Sequence, residues 1–536
     1  MMNSIPKLTM PKARTIPALI EEQALAYTNL DAIVWEGQTY SFGDLAKSVR
    51  DFAKGLLAAG IKPGDHVAIL MGNRPEWIIG ALAISSIRAV MVAVNTWGRE
   101  PEIGYILAHS DAAAIIYAGK YLKADYTEIL ENLRGSLPKL KAFIHVEQEC
   151  CVGSRSFDEI SALGSAQSDQ AYTAAMGQVT PETICFLIYT SGSTSTPKGV
   201  QIQNAPLIEN MWYLGNRMHA VPGDRIWMAV SLFWGFGCEN ALFNSLTHGA
   251  CLVLQSHFDP EQALSLIERE RCTLFYGMGN MVQALAYHPN KGLFDLSSLR
   301  SGVMTGTPEQ FKAIQELGAT EICHMYGFTE GYGNCNVTDG RLDPPEKVIA
   351  SIGRPLECVV QRVANPETLE TCPTGTVGEI QNKYPVTIGY YKDEDKNQAA
   401  FTKDGYFRTG DLGYYDEDGF LYFAGRLKEL IKTNGINVAP AEIEAVIKAQ
   451  SGIRDAFVVG VPDAVREEAV AVVIVPHSLD ESDQIERRLR AELPKLLSGY
   501  KVPRYYKFLQ ADELPLTATG KVHKLRMPDL FEVEKA

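Results

Sequence analysis

The order of apolar and polar positions predicts helices and buried strands that alternate along the chain. Residues 42–59 carry apolar side chains at helical spacing, and Ser41, which precedes them, is a residue type that caps helices. A proline–glycine–aspartate turn comes next, and the apolar run at residues 66–70 then predicts a strand. The same order of helix, turn and strand recurs at residues 263–275 and 311–323. This alternation predicts an α/β fold in which helices cover the faces of parallel-rich sheets.

Two other stretches are less regular. Residues 77–94 form the most apolar window, but this window contains Arg88 and two serines, so a buried helix followed by a buried strand is favoured over a membrane span. Residues 151–182 are rich in serine, alanine and glutamine and are only weakly periodic, which predicts a surface connection. We therefore expect no integral membrane segment.

A change of pattern near residue 426 predicts a second domain. Dense turn signals at residues 403–419 precede this point, and an α+β pattern follows it. The elements predicted there are a helix at 439–450, strands at 456–461 and 469–475, a helix at 482–497 and a strand at 505–509. We therefore predict a large N-terminal α/β domain, residues 1–425, and a small, mobile α+β C-terminal domain, residues 426–536.

Composition narrows the class of protein. The chain has 536 residues, 46% of them hydrophobic and 21% charged, which is typical of a soluble globular protein. A net charge of −14 argues against binding to nucleic acid or to an anionic membrane surface, although a local basic pocket for a small anion stays compatible with it. The ten cysteines are scattered without C-x-x-C spacing, which favours reduced core residues in a cytoplasmic protein.

The strongest local signal is a loop suited to a polyphosphate. An apolar strand at residues 184–189 runs into small hydroxyl residues and glycine, and the loop closes with a lysine. Small residues let backbone N–H groups approach phosphate oxygens, and a lysine adds a compact positive charge. A flexible linker is the alternative, but linkers rarely leave an apolar strand and end in Pro-Lys-Gly. The predicted phosphate-binding residues are Thr190, Ser191, Gly192, Ser193, Thr194 and Lys198.

This loop does not match the Walker pattern; it resembles the signature loop of the adenylate-forming enzymes. That family contains acyl-CoA synthetases, the adenylation domains of peptide synthetases, and firefly luciferase. The resemblance covers nearly the whole chain, since four more family motifs follow in order, at residues 326–330, 406–411, 425–432 and 515–521.

The resemblance implies ATP, Mg²⁺ and coenzyme A as cofactors and a reaction in two halves. A carboxylate attacks the α-phosphate of ATP to give an acyl-adenylate and pyrophosphate, and a thiol then displaces AMP. By resemblance, Lys521 is the catalytic cation between the carboxylate and the α-phosphate. Glu330 is the Mg²⁺ ligand, Thr190 is its partner at the metal, and Thr329 contacts the phosphates.

Further positions follow from the same resemblance. Asp411 corresponds to the residue that accepts hydrogen bonds from the ribose hydroxyls, and Arg426 contacts ribose or phosphate. Lys428 occupies the hinge about which the small domain turns, and Gly435 lines the tunnel for the pantetheine thiol. The positions that sandwich adenine are Gly306, Thr307, Pro308, Tyr326 and Phe423.

The acyl pocket implied by the resemblance is apolar or small. Its residues are Trp234, Phe236, Gly302, Met325 and Gly327. Trp234 stands where many family members have histidine, and where amino-acid-activating members often have aspartate, so an amino-acid substrate is disfavoured. The expected substrate is a small-to-medium hydrophobic acid, whether aromatic, alicyclic or short aliphatic. A second departure, Ser195 in place of the usual glycine, suggests a changed loop geometry rather than lost ATP binding.

The leading interpretation is a stand-alone acid–CoA ligase. One alternative is an adenylating enzyme that passes the acyl group to an amine or to a carrier protein, and a luciferase-like oxygenase is a weaker one. An alternative of another class is a non-catalytic nucleotide-binding protein, which is disfavoured because Glu330, Asp411, Arg426 and Lys521 are all present. Dimerisation is suggested by the family resemblance alone.

Overall fold

The computed structural model of the protein describes residues 8–147, 150–190, 197–433, 436–463, 467–516 and 522–531. These residues form two compact units. The first contains the chain up to residue 361 together with residues 382–407, and the second contains residues 362–381 and the chain from residue 408. The predicted domain boundary between residues 425 and 426 stays a prediction.

The first unit is built from short strands and helices in alternation. Its strands are β1 (Asp31–Trp35), β2 (Gln38–Ser41), β3 (His66–Leu70), β4 (Val90–Ala93), β5 (Ala114–Tyr117), β6 (Lys120–Tyr121), β7 (Ala124–Asp125), β8 (Ala142–His145), β9 (Arg155–Ser156), β10 (Ile184–Thr190), β11 (Lys198–Gln203), β12 (Arg225–Met228), β13 (Cys251–Leu254), β14 (Leu274–Met278), β15 (Ser301–Thr305), β16 (Glu321–Tyr326), β17 (Asn336–Val337) and β18 (Arg354–Pro355).

Its helices are α1 (Ile16–Ala26), α2 (Phe42–Ala58), α3 (Pro75–Ser86), α4 (Glu100–His109), α5 (Tyr126–Leu133), α6 (Phe157–Ser165), α7 (Gln170–Met176), α8 (Asn204–Arg217), α9 (Leu242–His248), α10 (Pro260–Arg269), α11 (Gly279–Ala286), α12 (Pro308–Glu316), α13 (Pro345–Ala350) and α14 (Glu394–Ala400).

Two large sheets organise these elements. Seven of the described strands form one sheet in the order β11-β10-β4-β3-β5-β8-β9, and nine form another in the order β18-β17-β16-β15-β14-β12-β13-β1-β2. Neighbouring strands from β10 to β9 are parallel, as are those from β16 through β15, β14, β12 and β13 to β1. The predicted α/β class with parallel-rich sheets is therefore confirmed. Parallel strands also bring the loops at their carboxyl ends to one edge of each sheet.

The predicted rhythm of helix, turn and strand is confirmed where the apolar period is strong. Helix α2 begins after Ser41, whose side chain accepts a hydrogen bond from the backbone N–H of Asp44 in a capping box. The apolar window at residues 77–94 lies in α3 and β4, both buried. None of the helices in the described ranges is long and apolar enough to span a bilayer.

The prediction of a surface connection at residues 151–182 is wrong. This stretch contains α6 and α7, and α6 packs closely against α2. The contact is made through small residues, since a Cβ at Gly164 would lie 1.8 Å from the carbonyl oxygen of Asp51, and one at Gly55 would lie 1.9 Å from that of Ile160. Backbones that approach through glycine need few large apolar side chains, so the helical period is weak in the sequence.

The second unit contains two smaller sheets. Strands β19 (Val360–Ala364), β20 (Gly378–Tyr384), β21 (Phe407–Tyr415) and β22 (Leu421–Arg426) pair in chain order. The other sheet has the order β24-β23-β26-β25, with β27 paired to β26. Its elements are β23 (Ile431–Thr433), β24 (Ile436–Val438), α15 (Pro440–Lys448), β25 (Ile453–Asp463), β26 (Glu467–Pro476), α16 (Ser482–Leu496) and β27 (Tyr505–Phe508). The predicted α+β pattern after residue 426 is therefore confirmed.

A buried carboxyl group interrupts the core of the first unit. Residues Phe236–Ala241 form a π-helical turn that leads into α9, and Glu239 within it is fully buried. Neither carboxyl oxygen of Glu239 has a hydrogen-bond partner in the part of the chain that the structure describes. Burial, together with the negative charge of Glu330, raises the pKa of Glu239 well above its usual value. The buried site therefore favours the neutral, protonated form of Glu239.

We expect Gly164→Ala to destabilise the first unit by about 1–3 kcal/mol or more, because the added methyl group overpacks the contact between α2 and α6. The midpoint of thermal unfolding measures the effect. Gly135→Ala is the matched control, since a Cβ there meets no atom within 4 Å. Equal midpoints for the two variants would contradict this account of α6.

We expect Glu239→Gln to raise the unfolding temperature more at pH 8 than at pH 5. The unfolded carboxyl ionises above a pKa of about 4.3, whereas the native one stays protonated, so the wild type loses stability as the pH rises from that value through the raised native pKa. Glutamine does not ionise. Exposed Glu128→Gln is the control, and a difference between Glu239→Gln and wild type that is constant with pH would contradict the assignment.

Candidate functional site

The two flanks of the predicted phosphate loop form an antiparallel hairpin. Strand β10 pairs with β11, and Thr190 at the end of β10 lies opposite Lys198 at the start of β11. The tip between them lies outside the described residues and holds Ser191, Gly192, Ser193 and Thr194, together with the departure at Ser195. The structure therefore places the base of the loop, with its hydroxyl and its lysine, at the carboxyl edge of the seven-stranded sheet.

Tyr390 connects the lysine of this hairpin to the predicted metal ligand. The ammonium of Lys198 lies 4.6 Å from the centroid of the Tyr390 ring, at the distance of a cation–π contact. The Tyr390 hydroxyl donates a hydrogen bond of 2.8 Å to Glu330 Oε1. Burial of Tyr390 and the charge of Glu330 raise the pKa of the phenol well above its usual value, so it remains a donor.

Backbone contacts hold the segment that carries Tyr390 against β11. The backbone N–H of Tyr391 donates to the carbonyl oxygen of Gly199 at 2.8 Å, and that of Thr387 donates to the carbonyl oxygen of Glu330 at 2.7 Å. The Thr387 hydroxyl donates to the carbonyl oxygen of Gln201, also at 2.7 Å. The hairpin, the Tyr390 segment and the Glu330 loop thus form one hydrogen-bonded assembly.

A tight loop after β16 presents Thr329 and Glu330. Residues Thr329–Gly331 form a 3₁₀ turn, and Tyr332 after it has φ of +57°. A Cβ at Gly327 would lie 1.8 Å from the carbonyl oxygen of Gly333, so glycine is required there by the close approach of the two ends of the loop. Tyr332 is fully buried and anchors the loop in the core.

Glu239 lies beneath this loop. A Cβ at Gly235 would lie 2.2 Å from Glu239 Oε2 and 3.4 Å from the hydroxyl oxygen of Thr329. The neutral carboxyl and the Thr329 side chain therefore both lie near Gly235, next to the predicted pocket residues Trp234 and Phe236.

The predicted adenine-binding residues of the first unit come together at the edge of the nine-stranded sheet. Strands β15 and β16 are parallel neighbours, and residues 306–308 follow the first while Tyr326 ends the second. Thr307 caps α12, because its hydroxyl accepts a hydrogen bond from the backbone N–H of Gln310. Gly306 packs against the Gln310 side chain, and Pro308 is the first residue of the helix. The capping contacts fix this piece of backbone.

The predicted acyl-pocket residues are distributed over three elements of the same unit. Trp234 and Phe236 lie at the start of the π-helical turn, and the ring of Phe236 is 5.2 Å from that of buried Tyr276 on β14. Met325 is buried in the main core on β16. Gly302 on β15 has φ of +140°, and a Cβ there would lie 2.1 Å from a backbone oxygen of β14. Close backbone packing therefore accounts for glycine at 302, as it does at 327.

In the second unit the structure describes four of the predicted residues. Asp411 and Arg426 lie opposite each other on β21 and β22 and form an ion pair of 3.3 Å between Arg426 Nε and Asp411 Oδ1. Phe423 on β22 is 44% exposed. Lys428 lies in the 3₁₀ turn Leu427–Glu429 that joins β22 to β23. Lys521 and Gly435 lie outside the described residues.

Sequence reasoning missed Tyr390, Glu239 and Trp97. Trp97 follows β4 and contacts the ring of Trp234 at 4.8 Å. None of the three belongs to a motif. The available signals were a pair of tyrosines after a glycine at 389, a lone acid in an otherwise apolar stretch, and a tryptophan in a turn. Each of these three signals is common in protein sequences. Only the fold, which brings the three residues next to the predicted site residues, indicates that they belong to a site.

Comparison with known proteins identifies both parts of the chain. Residues 20–391 match the family model of AMP-binding enzymes, and residues 442–521 match that of the AMP-binding enzyme C-terminal domain. The first match alone covers more than half of the chain.

Relatives and solved structures agree with this assignment. The chain is 33% identical to YngI of Bacillus subtilis, whose name classes it with acyl-CoA synthetases, over 96% of each chain. It is 31% identical to the 3-[(3aS,4S,7aS)-7a-methyl-1,5-dioxo-octahydro-1H-inden-4-yl]propanoyl:CoA ligase of Mycobacterium tuberculosis, over 96% of this chain and 99% of that one.

Among solved structures, the amide bond synthetase McbA from Marinactinospora thermotolerans matches 96% of this chain and 99% of its own, with 26% identity and a TM-score of 0.80. The anthranilate CoA ligase AuaEII shares the fold with a TM-score of 0.83 and 24% identity, over 98% of each chain. The chain therefore belongs to the AMP-binding enzymes, the adenylate-forming family that its motifs resemble.

Proposed function

We propose that the protein is an ATP-dependent carboxylic acid–CoA ligase. It joins an organic acid to AMP with release of pyrophosphate, and it then transfers the acyl group to coenzyme A with release of AMP. The observation that carries this proposal is the assembly of Lys198, Tyr390 and Glu330 beside Thr190, which presents a cation and a carboxylate where a metal–triphosphate would lie. Membership of the AMP-binding enzymes supports it.

The first half-reaction brings two anions together, so the site must supply positive charge where negative charge gathers. Lys198 serves the β- and γ-phosphates, with Thr190 and the hydroxyl residues 191–194 as further donors. Lys521 contacts the acid's carboxylate and the α-phosphate and is the proposed catalytic residue. Thr329, in the loop after β16, donates to a phosphate oxygen.

Glu330 fits the role of a Mg²⁺ ligand. Its Oε1 is fixed by the Tyr390 hydroxyl at 2.8 Å, so the carboxylate is held in one orientation before any metal binds. Magnesium prefers oxygen ligands, and with a triphosphate present it needs few from the protein. Glu330 and Thr190 would hold the metal, which would supply positive charge to the leaving pyrophosphate.

The roles proposed at the nucleoside follow the family motifs. Asp411 accepts hydrogen bonds from the two ribose hydroxyls, and Arg426, which pairs with it at 3.3 Å, orients that carboxylate. Tyr326 and the backbone at residues 306–308 cover the faces of adenine, and Phe423 extends the wall. The capping contacts of Thr307 fix the backbone at this position.

The acid occupies a pocket between Trp234, Phe236, Met325 and the backbone at Gly302 and Gly327. These groups offer an aromatic and apolar surface without a formal charge, so we propose a small-to-medium hydrophobic acid as the substrate. Among the relatives, a feruloyl-CoA synthase of Amycolatopsis, 31% identical, has an aromatic acid in its name. The M. tuberculosis ligase has a bicyclic one.

Coenzyme A is the proposed acceptor of the acyl group. By resemblance to the family, Lys428 is the proposed hinge residue and Gly435 the proposed residue of the pantetheine tunnel. A second acceptor, an amine, is favoured by one observation, the match to the amide bond synthetase at 26% identity.

The decisive experiment is mass spectrometry of the products formed from ATP, Mg²⁺, coenzyme A and a library of acids, with and without added amines. We expect AMP, pyrophosphate and acyl-CoA for aromatic, alicyclic or short aliphatic acids. Amides formed in preference to thioesters would overturn the proposed acceptor. A preference for amino acids would overturn the proposed pocket.

We expect Tyr390→Phe to lower the rate of adenylate formation about tenfold at limiting Mg²⁺ and less at saturating Mg²⁺. The change removes the hydrogen bond to Glu330 but keeps the ring under Lys198, and a hydrogen bond to a charged group contributes about 1.5–3 kcal/mol. Pyrophosphate release at varied Mg²⁺ measures the effect. Tyr391→Phe serves as the control, and an equal loss at all Mg²⁺ concentrations would contradict the link to the metal.

We expect Lys521→Ala to reduce adenylate formation about a hundredfold or more while thioester formation from pre-made acyl-adenylate stays largely intact. Gly435→Leu should do the reverse, because the added bulk blocks the thiol channel. Each half-reaction is measured separately, by pyrophosphate release and by acyl-CoA formation. Exposed Arg526→Ala is the control for the lysine. Loss of the same half-reaction in both variants would refute the assignment of separate roles.

A further inference from the structure

Trp97 is an exposed aromatic residue in contact with a predicted pocket residue. It lies in the loop between β4 and α4, and 42% of its surface is exposed. Its ring centroid is 4.8 Å from that of Trp234 at an interplanar angle of 77°, and 5.6 Å from that of Phe233 at 81°. Both contacts have the edge-to-face geometry that aromatic pairs prefer. Trp97 is therefore half-exposed, and two aromatic contacts hold its indole ring.

The backbone around Trp97 is fixed by short-range hydrogen bonds. The Asn95 side chain accepts from the backbone N–H of Trp97 at 2.8 Å, and the Asn95 carbonyl accepts from that of Gly98 at 3.1 Å. The buried Tyr126 hydroxyl donates to the carbonyl oxygen of Thr96 at 2.7 Å. The loop therefore presents the Trp97 ring from a rigid base.

The backbone of the segment that carries Trp234 is anchored on both sides of that residue: the N–H of Trp234 donates to the carbonyl oxygen of Ser231 at 3.1 Å, and the carbonyl oxygen of Trp234 accepts from the N–H of Cys238 at 2.9 Å. The buried side chain of Asn73 accepts from the backbone N–H of Leu232 at 2.8 Å and donates to the carbonyl oxygen of Val230 at 3.0 Å. The Trp234 ring, in contrast, is only partly buried and contacts the rings of Phe233 and Trp97. Trp234 also packs against the main core. Of its two ring contacts among the described residues, Phe233 is a neighbour in sequence, and Trp97 comes from a distant part of the chain.

The contact lies at the same edge of the sheet as the phosphate hairpin. Strand β4 is the parallel neighbour of β10, with Ala93 opposite Ile188. The loop after β4 therefore leaves the same edge of the sheet as the phosphate hairpin that begins at Thr190. A side chain in that loop can reach the acyl pocket without crossing the sheet.

We propose that Trp97 is a specificity-determining residue that acts through Trp234. It holds the Trp234 ring across the acyl pocket and so limits the length of the acid that the enzyme accepts. This inference rests on the proposed function, since it takes Trp234 to be a wall of the acyl pocket. Without the Trp97 edge, the Trp234 ring loses its contact on one side and can rotate away from the pocket.

The test compares straight-chain acids of four to twelve carbons in wild type, Trp97→Ala and Trp97→Phe, with kcat/KM measured for acyl-CoA formation. We expect Trp97→Ala to raise the ratio of kcat/KM for the ten-carbon acid to that for the four-carbon acid about tenfold, the effect of losing about 1.4 kcal/mol of aromatic contact. Trp97→Phe keeps an aromatic edge and should remain within about twofold of wild type. The KM for ATP should not change.

A double-mutant cycle separates action through Trp234 from a general effect on the fold. If Trp97 acts through Trp234, then in the Trp234→Ala background the further change Trp97→Ala leaves the chain-length ratio unchanged. Tyr287→Ala, which removes a 77% exposed aromatic residue elsewhere in the same unit, is the matched control.

The outcomes distinguish the two proposals. An unchanged chain-length ratio in Trp97→Ala, or an equal loss for every acid, overturns the role of Trp97 and leaves the ligase assignment standing. Additive effects of the two tryptophan substitutions overturn the route through Trp234. Absence of pyrophosphate and acyl-CoA from every acid in the wild type overturns the proposed function, and the inference about Trp97 falls with it.

Discussion

The contact of Tyr390 with both Lys198 and Glu330 is the interaction on which the proposed site depends. One aromatic side chain receives the ammonium on its ring and directs its hydroxyl to the carboxylate. The neutral Tyr390 side chain thereby holds the Lys198 ammonium and the Glu330 carboxylate at fixed positions, although these two residues lie far apart in sequence. The backbone pairing of the Tyr390 segment with β11 and with the Glu330 loop makes this spacing a property of the fold. Preorganisation of this kind is what a site that must bind a triphosphate and a metal requires.

The sequence correctly predicted the helices and strands that have strong local sequence signals. The cap at Ser41 and the strand at β3 could be placed to the residue, because caps, turns and apolar periods are local properties. Helices α6 and α7 could not, since α6 meets α2 through Gly55 and Gly164 rather than through large apolar side chains. A glycine that permits close approach of two backbones looks, in sequence alone, like a glycine that ends a helix.

The same distinction holds for the site. Thr329, Glu330 and Tyr326 could be predicted because they stand together in one contiguous motif at the end of a strand. Tyr390 could not, because its role exists only once the segment at residues 387–391 pairs with β11. Trp97 was equally hidden, as its partner is 137 positions away and the pairing depends on β4 lying next to β10. Candidate site residues that stand in one contiguous motif can be predicted from sequence, whereas residues that come together only from separate loops cannot.

These constraints locate where substrate preference can vary in this chain. A Cβ at Gly302 or Gly327 would lie 2.1 or 1.8 Å from a backbone oxygen, so side chains are excluded at these two positions of the proposed pocket. Met325 is a core residue whose replacement would disturb the packing around β16. The adjustable surface is then the aromatic set of Trp234 and Phe236 with the residues that hold their rings. If these residues line the acyl pocket as proposed, a preference for one hydrophobic acid over another would depend on the orientation of these rings rather than on the backbone that carries them.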